Sequence, residues 1–256
     1  TQTWDANGRI TILDLNDLNL SGSIPSTIGN LIELTDLSLY RNALSGSIPS
    51  EIGNLINLIT LNLAETGIEG SIPSSIENLT ELTNLKLYNN ELSGSIPSEI
   101  GNLTNLTHIL LRNNDFSGGI PAEISNLINL TVIWLNDNDL TGIIPQSICN
   151  LSLMDFTNIS YFKISNNALC PPYPDCMTEE DVGDQDNASC FNYCESGETS
   201  VLDAGYIGCY DDNDLDFLED VINTSTGSNK PDANLAPWKL GHQVWENRRL
   251  KSFCCS

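Results

Sequence analysis

The sequence predicts an α/β solenoid, a stack of short coils whose strands align in one parallel sheet, followed by a disulfide-rich C-terminal cap. Three observations predict it. A pattern of 24 residues recurs in phase through 34–57, 58–81, 82–105, 106–129 and 130–153, and 10–33 fits the same frame. Each block carries apolar residues at its LxxLxL positions, where alternation turns them inward from a short strand and its entry bend. No single block encloses a core, so the apolar positions are buried only when neighbours stack.

Each element of the block has a physical reason, as LTDLSLYRNALSGSIPSEIGNLIN (34–57) and LTNLKLYNNELSGSIPSEIGNLTN (82–105) illustrate. The LxxLxL run is the strand. Asparagine at the ninth place (Asn42, Asn90, Asn114, Asn138, Asn167) can bond backbone groups of the adjacent turn, making a buried amide column. Leu18 and Thr66 stand where that asparagine is expected, which breaks the column at two turns. Glycine at the thirteenth place and proline at the sixteenth punctuate the return path, and the following Ile and Leu fill the far side of the core. About seven apolar positions per block, at about 1.5–3 kcal/mol each when buried, make stacking the source of stability. Residues 159–170 (ISYFKISNNALC) form a half-repeat after a five-residue insertion.

Composition narrows the function. The 256-residue chain is 40% hydrophobic and carries a net charge of −24, with 10 Lys+Arg against 34 Asp+Glu. So few cations neutralise few phosphates, which excludes a nucleic-acid partner, and the same balance opposes anionic membranes. No apolar run reaches the ~18–20 residues that span a bilayer. The chain shows neither an initiator Met nor a signal peptide, as expected of a mature, processed product. Six of eight cysteines fall within 149–209, a density that points to disulfides in an oxidising compartment, and no CxxC pair suggests a metal.

The pattern LxxLxLxxNxLSGxIPxxIGNLxx resembles the plant-type extracellular leucine-rich repeat of receptor ectodomains and secreted inhibitor proteins, over about 10–170. The resemblance implies a right-handed superhelix with the parallel sheet on its concave face, and an extracellular or cell-surface location. It also implies that outward strand residues form the usual binding face. All four basic residues between 10 and 170 (Arg41, Lys86, Arg112, Lys163) fall on that strip, together with Tyr40, Tyr88, His108, Trp134 and Tyr161. Interleaved aromatic and basic side chains on a rigid surface are the composition of binding hot spots, although exposed strands also favour Tyr, Trp and Thr for propensity alone. The Thr/Ser column at the second strand place is expected to be a cross-strand ladder rather than an ice-binding array, because Ile59 interrupts it. No nucleophile elbow, HExxH or phosphate-cradling loop is present, so the chain is not expected to be an enzyme.

Beyond the solenoid (1–170), CPPYPDC resembles the cap that closes such repeats, and an acidic cysteine-rich cap (170–209) follows. Cys149, Cys170, Cys176, Cys190, Cys194, Cys209, Cys254 and Cys255 are disulfide candidates whose pairing the spacing leaves open. Asp184, Asp186 and Glu195, or Asp212, Asp214 and Asp216, offer hard oxygens of the kind calcium takes, but neither set has EF-hand spacing, so no cofactor or resident metal is expected. Residues 210–256 read as a short amphipathic helix (214–225), a linker, and QVWENRRLKSF, which repeats the opening of the chain. With one gap, Trp4, Arg9, Ile10 and Leu13 align with Trp245, Arg249, Leu250 and Phe253. In the families this resembles, such a segment begins a repeat array. The leading expectation is therefore a structural subunit whose C-terminal element docks on the N-terminal edge of another copy, building head-to-tail filaments. A tail folded on its own chain and the start of a second array are alternatives, as is a recognition module holding a protein or peptide on the concave strip. Nine sequons, Asn19, Asn78, Asn102, Asn105, Asn129, Asn150, Asn158, Asn187 and Asn223, could carry N-linked glycans.

Overall fold

The computed structural model describes residues 2–186 and 190 and, as backbone, four strands further on. The chain divides into two compact units, Thr1–Asn187 and Ala188–Ser256. In the first, seven coils (10–33, 34–57, 58–81, 82–105, 106–129, 130–158 and 159–170, here coils 1–7) contribute one strand each to an eight-stranded sheet. These strands are Ile10–Asp14, Asp36–Ser38, Thr60–Asn62, Asn84–Lys86, His108–Leu110, Val132–Trp134 and Phe162–Lys163. They pair in parallel and in exact 24-residue steps from Ile12 through Asp36, Thr60, Asn84 and His108 to Val132. The last step, Ile133 to Phe162, absorbs the five-residue insertion. Inserted Phe156 is buried there, edge-on to Phe162 with ring centroids 5.1 Å apart.

On the return side, a second parallel sheet of five short strands runs from Glu69–Gly70 to Ala168–Cys170. Six 3-10 turns, from Ser26–Asn30 to Gln146–Asn150, each follow a proline whose missing N–H costs nothing at a helix start. The LxxLxL leucines, such as Leu58, Leu61 and Leu63, are fully buried in one continuous core with Ile52, Leu55 and their equivalents. Neighbouring turns approach so closely that a Cβ on Gly53 would lie 2.4 Å from the Ser75 carbonyl oxygen.

The amide column forms as the sequence predicts. In Asn114 the Nδ2 donates to the carbonyls of Leu87 and Leu111, and Oδ1 accepts the N–H of Leu92. Asn42, Asn138 and Asn167 repeat the arrangement, and Asn90 repeats its two donor bonds. The two expected breaks are bridged from the next coil. Asn90 Oδ1 takes the N–H groups of Thr66 and Gly67, and the Thr66 hydroxyl lies 2.8 Å from the Leu63 carbonyl. Asn42 Oδ1 takes those of Leu18 and Leu20. Just before each amide position, one residue per coil (Asp17, Arg41, Glu65, Asn89, Asn113, Asp137, Asn166) adopts φ near +55° to turn the chain out of the strand.

The two ends of this unit are finished differently. At the start, Gln2–Trp4 folds back antiparallel on Ile10–Asp14, with a bulge between Thr3 and Trp4. The N-terminal edge on which another copy was expected to dock is therefore not open: the coil 1 strand already carries a partner from its own chain. At the other end, the strand Ala168–Cys170 stops at Pro171, which cannot donate to a ladder. A disulfide joins Cys149 to Cys176, and a short helix, Glu179–Val182, is closed by a Thr178–Asp181 capping box. Gln185 then finishes the amide column: Nε2 donates to the Ile164 and Val182 carbonyls and Oε1 accepts the Leu169 N–H.

The second unit contains two antiparallel hairpins, Glu198–Asp203 with Tyr206–Asp211 and His242–Glu246 with Arg249–Cys254. In the latter, Gln243 faces Phe253 and Trp245 faces Leu250, with a bulge between Val244 and Trp245. That is the register of the opening hairpin, where Gln2 faces Leu13 and Trp4 faces Ile10.

Candidate functional site

The outward face of the eight-stranded sheet gathers the predicted binding residues. Because the pairing step equals the repeat, equivalent residues stand in columns. One column reads Asp14, Ser38, Asn62, Lys86, Leu110 and Trp134, then Lys163. Two residues further along their coils stand Tyr40, Tyr88, Arg112 and Asn136.

These columns join into two clusters. In coils 4–7 the Arg112 guanidinium lies 5.0 Å from the centroid of Tyr88 and 5.5 Å from that of Trp134, while Lys163 Nζ lies 4.6 Å from the Trp134 centroid. The Trp134 indole N–H donates to the Ser160 carbonyl, which fixes the ring. Each such cation–aromatic contact is worth about 0.5–1 kcal/mol at an exposed site. Among the described residues Lys86, Arg112 and Lys163 form no ion pair. Two polar atoms of adjacent coils, Arg112 Nε and Asn136 Oδ1, are buried without a hydrogen-bond partner.

In coils 2–4 the chemistry is already satisfied internally. Arg41 Nε donates to Glu65 Oε2 at 3.0 Å, the Tyr40 hydroxyl donates to Glu65 Oε1, and the Tyr40 and Tyr88 rings lie 6.5 Å apart. The Glu65 carboxylate, through that hydrogen bond first, raises the Arg41 pKa. Arg41 is thus part of the predicted strip but not one of its free cations. Burial is the main cause that raises the Tyr88 pKa.

His108 sits half-buried between these clusters. Its pKa is lowered, first by desolvation and then by Lys86, so it is neutral at pH 7. Nδ1 is 2.8 Å from the Thr107 hydroxyl, which itself donates to the Thr83 carbonyl. With that proton spent, Nδ1 carries the imidazole hydrogen. Thr35, Thr83 and Thr131 likewise reach the carbonyl of the preceding coil, as a cross-strand ladder requires. Tyr161 lies at the C-terminal margin and is exposed.

The other predicted sites are dispersed. Arg9 pairs with Asp5 and Glu33, and Trp4, 57% exposed, lines a cavity of about 200 Å³ with Ile10 and Asn30–Glu33. Leu13 and Ile10 pack against the core, so only part of the opening hairpin is available as a docking surface. The side chains of Trp245, Arg249, Leu250 and Phe253 lie outside the described residues, as do Cys194, Cys255, Asn187, Asn223, Glu195 and 212–216, and the side chains of Cys209 and Cys254. Cys170 and Cys190 are each disulfide-bonded. Sequons Asn19, Asn78, Asn102, Asn105, Asn129 and Asn150 are exposed and Asn158 is half-buried. Among the described residues no group of three His, Cys, Asp or Glu side chains is placed to hold a metal, and no helix is long and apolar enough to cross a membrane.

Comparison with known proteins agrees with the repeat fold. Residues 9–177 match the family model described as a leucine-rich repeat region. The chain is similar to the Arabidopsis receptor kinase HAESA, solved in complex with the peptide hormone IDA and the co-receptor SERK1. There the identity is 39% and the TM-score 0.60, over 64% of this chain and 26% of that one. It is also similar to the plant peptide hormone receptor RGFR1 in complex with RGF2, at 37% identity and a TM-score of 0.59, over 62% of this chain and 25% of that one. A plant ice-binding protein matches at 31% identity and a TM-score of 0.56, over 66% and 53% of the two chains. The chain therefore spans about a quarter of the length of the solved receptors and about half of the ice-binding protein. No curated protein matches it.

Proposed function

The chain belongs to the leucine-rich repeat family, and on that premise we propose that the outward face of its sheet is a recognition surface for a protein or peptide, acting outside the cell and without catalysis. The observation that carries this reading is the Tyr88–Arg112–Trp134–Lys163 stack. Three cations without carboxylate partners among the described residues stand on one face of a chain whose net charge is −24, and the aromatic rings hold two of them in place. Rigid aromatic and arginine anchors are the residues that dominate binding energy at interfaces. HAESA and RGFR1, both solved with peptide hormones, support the same reading. The ice-binding alternative is weaker here, because the threonine hydroxyls of the strand column are engaged inside the stack. The disulfides and the exposed sequons suit an oxidising, glycosylating exterior.

The test uses nine-residue random peptides selected on the intact chain. Rebinding them to Arg112→Ala and Trp134→Ala should weaken affinity by about 30-fold or more, the range of interface hot spots. Unchanged binding to both variants would assign the ligand to another surface.

Head-to-tail assembly is the second reading, favoured by one observation: the hairpin His242–Cys254 reproduces the register and bulge of the hairpin Gln2–Asp14. To enter the sheet of another copy, it has to displace Gln2–Trp4 from Ile10–Asp14 rather than fill an open slot. Light scattering of the full chain at rising concentration separates the readings, since assembly requires a growing mass that Trp245→Ala abolishes.

A further inference from the structure

The recognition face is electrically two-ended. Coils 1 and 2 present Asp17, whose charge also acts on Arg41, and Asp36, whose Oδ2 accepts the Thr35 hydroxyl, whereas coils 4, 5 and 7 present Lys86, Arg112 and Lys163. Between them the Arg41–Glu65 pair cancels itself at 3.0 Å. Asp137, an acid at the turn out of the coil 6 strand, is held by the side-chain amides of Asn136 and Asn166. Glu91, Asp115 and Asp139 begin strands of the second sheet, beyond the buried asparagine column. A uniformly acidic ligand meets repulsion at coils 1 and 2, and a uniformly basic one meets it at coils 4–7.

Resting on the recognition reading above, we infer that the ligand is an extended peptide with segregated charge, its acidic part over coils 4–7 and its basic part over coils 1 and 2. Its length follows from strand geometry. Six strand spacings of about 4.8 Å separate the strands of coils 1 and 7, about 29 Å, which an extended peptide crosses in about nine residues at ~3.3 Å each. Carboxylates suit the basic end because guanidinium and ammonium groups hold them through charge-assisted hydrogen bonds. They come from acidic side chains or from a chain terminus.

The same nine-residue selection tests this. Enriched peptides are expected to carry an acidic cluster and a basic cluster at opposite ends, and to bind at least tenfold tighter than isomers with the same residues alternating. Lys86→Glu with Lys163→Glu should weaken the segregated peptide by more than tenfold, and Asp17→Asn with Asp36→Asn by several-fold. Amidating the peptide terminus distinguishes side-chain from terminal carboxylates. Enrichment of uniformly acidic or uncharged peptides that still depend on Trp134 overturns the polarity and leaves the recognition face standing. Absence of any Trp134-dependent peptide overturns both.

Discussion

The two ends of the solenoid solve one problem with unequal completeness. At the C-terminal end, the Cys149–Cys176 bridge, the capping box at Thr178 and the amide of Gln185 satisfy the last coil, and Met177 and Val182 close over its core. At the N-terminal end, a three-residue strand covers the sheet edge, but Ile10, Leu13, Leu15 and Leu31 stay only partly buried where their counterparts Leu58, Leu61, Leu63 and Leu79 are fully buried. The difference teaches that hydrogen-bond closure and apolar closure are separate tasks. The opening hairpin supplies the first and leaves the second to be completed.

That contrast can be broken most forcefully at the bridge. Replacing Cys149 and Cys176 by Ser should cost about 3.5 kcal/mol, from the loop entropy of a 27-residue separation. Amide exchange should quicken in coils 6 and 7 while coils 1 and 2 barely change, because a solenoid transmits stability mainly between neighbours. Trp4→Ala, at the other end, should cost less than about 1 kcal/mol, since most of the ring is already in water.

A subtler contrast lies in the amide column. Gln185→Ala strips its end and should cost about 1–3 kcal/mol by leaving the Leu169 N–H and the Ile164 carbonyl without this partner. Leu18→Asn adds a member at the opposite end and should raise stability by about 0.5–1 kcal/mol. Chemical denaturation of both variants measures the two signs.

The smallest effect concerns pH. His108 has its pKa lowered in the folded protein, so between its folded and unfolded values the unfolded chain binds more protons, and stability falls slightly as pH drops below about 6.5. Affinity for an acidic peptide should move the other way, rising a few-fold as His108 joins Lys86 and Arg112 in carrying charge. His108→Gln should flatten that rise in a titration calorimeter.

Much of this was legible in the residues. The 24-residue period places the LxxLxL strands from Ile10 to Trp134 but not the short strands of the return side, and the ninth-place asparagines name the amide column. The Arg41–Glu65 pair was missed although the signal was present: opposite charges occupy the same place in consecutive blocks. Gln185 was not readable, because a longer side chain outside the repeat performs the role of asparagine from another path of the backbone. Disulfide pairing depends on how the cap folds back, which spacing alone does not encode.

The five extra residues before coil 7 carry one more implication. Their length is taken up entirely on the return side: Phe156 sinks into the interior, and Lys163 still arrives beside Trp134 in step. The outer bend of a coil is thus an expansion joint, where chain can be spliced in while the reading surface keeps its spacing. A fluorescent tag grafted there would ride on the molecule without disturbing the outward face of the sheet.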